Sequence, residues 1–503
     1  MTTTSLPQRV RVLVVGAGFA GLGTAIKLDE HGFGDFLVVD KGQSVGGTWR
    51  DNTYPGAACD VPSQLYSFSF APNSEWSRSF SPQPEIQAYL ERTARDAGVL
   101  DRFRFGVTVE DAAWDEEEGV WHVGTDHGEV TADILVTGSG GLSEPKLPEI
   151  EGIDSFAGEI FHSARWNHDY DLTGKRVAVI GTGASAIQIV PEVAKQAAHL
   201  DVYQRTAPWV MPRGDRPYKA IERFAFRHLP FVQKAYRTGI YWGRECFVPG
   251  FTINPRLAAP AKKLALQNIE RGISDPELRK AVTPHFQIGC KRILISNDYY
   301  PALDSDHVDL VTDGIREITP TGIVTADGTV REVDAIVVAT GFYTTEQPIS
   351  EHVKGRDGRT LADSWRETGM AAYKGTTIAG FPNLFQIVGP NTGLGHSSMV
   401  FIIESQIAYI RSALQQMGER GIATVEPTQQ AQDAWNDDVQ RRMKRTVWST
   451  GGCESWYIDA HGRNTTLWPR TTFAFRGLLR TFDLDAYVAT TRTATPTTKE
   501  NVA

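Results

Sequence analysis

Gly16-Ala17-Gly18-Phe19-Ala20-Gly21 stands between an apolar run, Arg9 to Val15 (RVRVLVV), and a helical pattern from Leu22 to Glu30. Strand, glycine turn and helix in that order commit the first forty residues to one kind of unit. The first glycine allows the tight turn, the second lets backbone approach a pyrophosphate, and the third lets helix and strand pack closely. A second strand, Phe36 to Asp40, completes the βαβ unit. Asp40 ends it 19 residues after Gly21, where a carboxylate accepts hydrogen bonds from an adenosine ribose.

The pattern returns further along. Arg176 to Ile180 (RVAVI) runs into Gly181-Thr182-Gly183-Ala184-Ser185-Ala186, a helix through Ala198 and a strand from Leu200 to Gln204. Here the second strand ends in an amide, not an acid, and Arg205 and Thr206 follow it. An acid would repel a ribose 2'-phosphate and an arginine fork attracts it, so this unit is expected to take NADP. One site suited to a 2'-hydroxyl and one suited to a 2'-phosphate make FAD and NADPH the economical pair, and the chain a flavoprotein oxidoreductase. The predicted fold class is α/β, with two Rossmann-like dinucleotide-binding domains, the second inserted in the first. Strand candidates Ile134 to Thr137 and Ala335 to Thr340 mark the crossings. The FAD-binding domain is therefore expected at 1–143 plus 345–503, and the NADP-binding domain at 152–340.

Within the insertion, about 218–281 is rich in Lys, Arg, Ala, Phe and Tyr and reads as a helical subdomain. Its basic and aromatic mixture suits a membrane surface. Prolines at 230, 249, 255 and 260 break it into short pieces, which favours a packed cap with a solvated basic face. Lys plus Arg number 51 against 60 Asp plus Glu, a net charge of -9 that argues against nucleic-acid binding. No apolar stretch is long enough for a membrane span, and the polar start, Met1 to Gln8, lacks a signal-peptide pattern, so a cytoplasmic enzyme is expected. Cys59, Cys246, Cys290 and Cys453 have no C-x-x-C spacing. Neither a metal site nor a redox dithiol is expected from them; they read as buried, isolated thiols. Asp115 to Glu118 reads as a solvated turn, and Ala489 to Ala503 as a disordered tail.

Two further segments fit neither a helix stripe nor strand alternation. Gly46-Gly47-Thr48-Trp49-Arg50-Asp51-Asn52-Thr53-Tyr54-Pro55-Gly56-Ala57-Ala58-Cys59-Asp60 suits a loop lining a ligand, and Phe156 to Asn167 falls where an interdomain linker belongs. His162, inside the latter, reads as a structural histidine before a catalytic base. Together these segments make the chain resemble the type I Baeyer-Villiger monooxygenases, within the class B flavin monooxygenases. The fingerprint G-G-x-W-x-x-x-x-Y-P-G-x-x-x-D is met in full from Gly46 to Asp60, and F-x-G-x-x-x-H-x-x-x-W from Phe156 to Trp166. Asn167 departs from the Pro or Asp usual after that tryptophan.

The resemblance implies residue roles. Thr48, Trp49 and Tyr66 would line the flavin, Arg292 would be the active-site arginine, Asp60 its partner, and Lys291 a contact to the 2'-phosphate. Trp456 would close over the nicotinamide. Apart from the resemblance, Gly389-Pro390-Asn391-Thr392-Gly393 precedes an apolar run, Met399 to Ile403, that reads as a helix start, so its backbone donors are expected to face the flavin ring. The implied chemistry is reduction of FAD by NADPH, addition of dioxygen at flavin carbon 4a, and attack of the resulting peroxide on a ketone to give an ester or lactone. Sulfoxidation is an expected side activity. Two alternatives remain open on the sequence: a monooxygenase whose main substrates are sulfides or amines, and a non-catalytic NADPH/FAD redox sensor.

Overall fold

The computed structural model describes residues 5–491. Strand β1 (Arg9–Val15) is the centre of an eight-stranded sheet because its side chains are buried on both faces, as a near-continuous apolar run requires. It pairs in parallel with β2 (Phe36–Asp40) on one side and with the long strand β6 (Gly128–Thr137) on the other. Beyond β2 lies β3 (Phe103–Phe105), and beyond β6 lie β5 (Val120–Thr125) and β4 (Val109–Asp115), paired antiparallel. The turn at 115–118 between β4 and β5 is solvated, as expected from its four acids. Two later strands return to this sheet, Val353–Lys354 on β4 and Leu384–Gln386 on β6. Helix α1 (Phe19–Glu30) and the 22-residue helix Met399–Arg420 cover one face, burying Leu22, Ile402, Ile407 and Ile410.

The second sheet is wholly parallel. Its order is Val308–Val311, β9 (His199–Tyr203), β8 (Arg176–Ile180), Ala335–Val338 and β7 (Glu159–His162). Helix α4 (Ala186–Ala194) packs on it through Ile187, Ile189 and Val190, and stops short of the predicted Ala198. In each sheet the strands flanking the glycine turn end in register, Val15 with Val39 and Thr137, Ile180 with Tyr203 and Val338. Both turns therefore open at the carboxyl edge, where ligands of parallel sheets bind.

The segment expected to be helical carries α5 (Ala220–His228), α6 (Pro230–Glu245) and the helices Val248–Thr252, Ala259–Gly272 and Pro276–Ala281. Pro230, Pro249 and Pro260 occupy first-turn positions, so they start helices and do not interrupt them. Tyr218, Phe226, Tyr236 and Ile240 pack on the core beneath the first sheet.

Helix α2 (Thr48–Asp51) is one turn inside the glycine-rich loop, and α3 (Gln83–Asp96) packs beside it. Two expectations are corrected. Cys290 and Cys453 are joined in a disulfide although 163 residues separate them, and Cys246 is exposed, so only Cys59 is a buried free thiol. The pairing arises because the segment after Val447 folds back onto 286–292, a tertiary contact that local cysteine spacing does not encode. The start of the predicted tail is ordered as well: Tyr487–Thr491 pairs antiparallel with Ile422–Pro427, while the rest of that tail lies outside the described residues. Among the described residues no helix is long and apolar enough to cross a membrane.

Candidate active site

The two glycine turns are built alike. Gly16 (φ +106°) and Gly181 (φ +117°) hold left-handed backbone, and a Cβ would come 2.6 Å from the Gly138 carbonyl oxygen in one and 2.5 Å from that of Ala339 in the other. Only glycine meets both demands. In the first, α1 begins at Phe19 with Gly18 as its cap, so the amides of the first turn, through Ala20 and Gly21, point into the opening. Asp40 is buried and already busy: its carboxylate accepts from the Ala17 amide (2.6 Å), the Gly42 amide (2.7 Å) and Arg50 Nη1 (2.8 Å). A carboxylate has about four lone-pair sites, so one remains for a ribose hydroxyl. Arg50, which sequence reasoning passed over, also binds Asp51 and the Ser44 carbonyl.

Thr48 and Trp49 lie on α2, half-buried. Trp49 Nε1 donates to the Tyr66 hydroxyl at 3.0 Å, and Phe19 meets the Tyr66 ring at 5.2 Å between centroids. These rings form an apolar floor beside the turn, with Trp49 and Tyr66 open enough to line a ligand.

Arg292 and Asp60 come together from 232 residues apart. Arg292 Nε donates to Asp60 Oδ2 at 2.8 Å and Nη2 to Oδ1 at 2.7 Å, a two-bonded fork. Asp60 raises the guanidinium's pKa further above its already high value, so it stays charged. Burial opposes ionisation of Asp60, but the Arg292 charge and its hydrogen bonds outweigh it and hold the carboxyl below its usual range. Two more arginines, unremarked in the sequence, crowd the same loop: Arg244 donates to the Asp60 carbonyl (3.4 Å) and Arg213 to that of Cys59 (3.3 Å). The result is a cationic, partly exposed pocket in which one carboxylate balances the nearest charge.

The loop is held from the other domain. Tyr54 donates to Gln188 Oε1 at 3.0 Å, Gln188 Nε2 donates to the Ala58 carbonyl at 3.0 Å, and a Cβ on Gly56 (φ +80°) would stand 2.6 Å from the Gln188 carbonyl oxygen. Gln188 lies on α4, so the second glycine-turn helix positions the segment that carries Asp60.

At the end of β9, Gln204 is buried and donates to the Ala281 carbonyl, while Arg205 and Thr206 are exposed. The Thr206 carbonyl accepts from Thr182 Oγ1 (3.1 Å), tying strand end to turn. Ser185 precedes α4 without a capping hydrogen bond, Ala186 at its first position is buried, and Gly183 has no atom near its open side. Burial, and then the nearby charge of Arg205, lower the Lys291 pKa. Among the described residues neither side chain has an ion-pair partner within 4 Å, so two cations converge on a space that suits a phosphate.

Trp456 is half exposed and lies on Tyr457, which is buried close to Arg292. The disulfide ties this segment to the residue preceding Lys291. Asn391, in a left-handed conformation, turns inward and donates to the carbonyls of Asn464 and Leu467, so its amide braces the interior. His162 is buried, its Nδ1 accepts from the Ala164 amide, and burial lowers its pKa to about 4. It is a neutral structural histidine, as expected.

A family described as pyridine nucleotide-disulphide oxidoreductase matches residues 13–223. A Baeyer-Villiger monooxygenase of Streptomyces coelicolor is 53% identical over 95% of this chain and 92% of its own length. One of Pseudomonas aeruginosa is 51% identical over 97% and 93%. Among solved structures, a complex of OTEMO with FAD and NADP superposes with a TM-score of 0.86 at 29% identity, covering 96% of this chain and 99% of that one. Two glycine turns between parallel strands, the complete loop from Gly46 to Asp60 with its arginine partner, and identity above half along nearly the whole length lead to one assignment: the chain belongs to the Baeyer-Villiger monooxygenases.

Proposed function

We infer that this enzyme uses NADPH, FAD and dioxygen to insert one oxygen atom beside a ketone carbonyl, giving an ester or lactone, with sulfoxidation as a side activity. The observation that carries this reading is the Arg292–Asp60 fork beside the half-buried Trp49 and Tyr66. Bound FAD, reduced by NADPH, would supply the activation of dioxygen. The domain of 1–143 plus 345–503 would hold it through Gly16, Gly18, Phe19, Ala20, Gly21 and Asp40, with Thr48, Trp49 and Tyr66 against the ring. The domain of 152–340 would hold NADPH on the turn from Gly181 to Ala186, with Arg205, Thr206 and Lys291 on the 2'-phosphate and Trp456 over the nicotinamide.

Arg292 faces the negative charge that develops on oxygen during insertion. A guanidinium stays protonated throughout, and because Asp60 fixes it in advance, little reorganisation is needed as the charge appears. One such preorganised donor is worth about 100- to 1000-fold in rate. Arg244 and Gln188 hold the Asp60 backbone and loop, so the fork keeps its aim. The enzyme works in the cytoplasm, where its reductant is regenerated. Incubation with NADPH, labelled dioxygen and a panel of ketones that includes one thioether tests the reading. An ester carrying a single labelled oxygen atom is expected; sulfoxide with no ester from any ketone would shift it to heteroatom oxygenation.

A further inference from the structure

Helix α6 packs Val232, Tyr236 and Ile240 on the core yet leaves other large apolar side chains in solvent. Its fully buried side chains are polar, Gln233 and Glu245, whereas Phe231 (69% exposed) and Trp242 (52%) face outward. Gln233 binds Gln64 and the Asn73 carbonyl, and Glu245 binds His396 and Thr472, so the inner face is pinned by buried hydrogen bonds and the helix cannot roll. On α5, Ile221 and Phe224 stand outward while Phe226 is buried. Ile253 is 74% exposed and Leu257 59%. Of the seventeen large apolar side chains exposed among the described residues, nine fall between 221 and 264, and Phe473 joins them against Trp242.

The charge on this stretch is as uneven. Among the described residues, the exposed ionisable acids and bases from 219 to 264 include seven Lys or Arg and no Asp or Glu, in a chain whose net charge is -9. Lys219, Arg223, Lys234, Arg256, Lys262 and Lys263 have no ion-pair partner within 4 Å among the described residues. Exposed apolar side chains interleaved with unpaired cations, on short helices that lie along a surface, fit one environment well: the interface of an anionic bilayer, where rings and aliphatic chains enter the acyl boundary and the cations meet phosphate headgroups.

We propose that the face formed by residues 219–264 is a peripheral docking surface for anionic lipid membranes. The charge complementarity sets a lipid surface ahead of a second copy of this chain, which would bring like charges together. A consequence, which rests on the oxygenase reading above, is that lipid-dissolved ketones form the substrate class. Trp242 and Arg244 project from opposite sides of α6, so one helix carries the docking face outward and a contact to the Asp60 carbonyl inward.

The test is flotation of the full-length flavoprotein with vesicles of phosphatidylglycerol and phosphatidylcholine in equal parts, and with phosphatidylcholine alone; no turnover is needed, so this proposal and the oxygenase reading fail separately. The parent protein is expected to float with the anionic vesicles and far less with the neutral ones. Phe224→Ser/Phe231→Ser should weaken binding at least ~10-fold, and Lys234→Glu/Lys262→Glu/Lys263→Glu about 100-fold. Unchanged flavin absorbance and NADPH oxidation in free solution would show that both variants fold. Parent protein that stays with the soluble fraction, or variants that bind like the parent, would overturn the proposal. So would a lipid-free dimer that both variants turn into monomer, which would assign the face to a second copy.

Discussion

Cys453→Ser opens the Cys290–Cys453 bridge without touching a residue that faces the cofactors. The bridge closes a loop of 163 residues, for which chain entropy gives a limit of about 5 kcal/mol; typical bridges realise ~2–4 kcal/mol. At roughly 2.1 cal/mol/K of unfolding entropy per residue, a chain of this size loses about one degree of thermal midpoint per kcal/mol, so a fall of ~2–4 °C is expected. The functional loss should be local. Cys290 immediately precedes Lys291 and Arg292, and Cys453 lies three residues before Trp456, so opening the bridge frees the Trp456 segment from the turn that carries Lys291 and Arg292. The Gln287 amide to Gly451 carbonyl bond (2.9 Å) and buried Tyr457 remain, so the KM for NADPH should rise several-fold and not catastrophically. The assay is thermal unfolding with and without dithiothreitol, steady-state kinetics, and thiol titration under denaturing conditions. Unreduced parent should show two free thiols, Cys59 and Cys246, and reduced parent four. Four thiols before reduction, or a variant with the parental midpoint and KM, would refute the tether.

Three shorter predictions follow from the same geometry. His162 titrates near 4 in the folded chain and near its free value of about 6.5 when unfolded, so between those values the unfolded state binds the extra proton and stability is lost as pH falls; about 3 kcal/mol should disappear from denaturant-derived stability across that window, and His162→Gln should flatten it. Arg205→Ala should raise the KM for NADPH about tenfold or more and leave NADH nearly unchanged, whereas equal losses with both would separate this arginine from the 2'-phosphate. Gly56→Ala forces a side chain onto left-handed backbone against the Gln188 carbonyl; a stability loss of roughly 1–3 kcal/mol is expected by chemical denaturation, with ester formation falling more than NADPH oxidation because the loop carrying Asp60 shifts.

What was legible in the sequence is what is local. Strands Arg9–Val15, Phe36–Asp40 and Arg176–Ile180 occur where their apolar runs end at glycine, because a buried parallel strand and a glycine turn each leave a contiguous signature. The apolar pattern after Ser185 predicts a helix through Ala198, four residues past its end at Ala194, since the pattern does not reveal where packing on the sheet ends. Long-range partners left no trace: Gln188 under the Tyr54–Ala58 loop, Arg244 at Asp60 and the paired cysteines are all set by how distant segments meet. Asp40 shows the intermediate case, since its position suggested a ribose contact but not that it would also pin the glycine turn through the Ala17 amide. The prolines of the helical segment suggest breaks, yet the first turn of a helix suits proline equally well.

The central claim is that the guanidinium of Arg292, held by Asp60, serves oxygen insertion and not merely coenzyme binding. Its most direct test is the partition of consumed NADPH between ester and hydrogen peroxide in Arg292→Ala, measured against the parent on one accepted ketone. The account predicts that ester formation falls by at least ~100-fold while NADPH oxidation falls less, so that nearly all reducing equivalents leave as hydrogen peroxide. Asp60→Ala should shift the partition in the same direction by less, since it removes the partner and leaves the charge. Ester formed by Arg292→Ala at near the parental rate, with hydrogen peroxide unchanged, would contradict the claim.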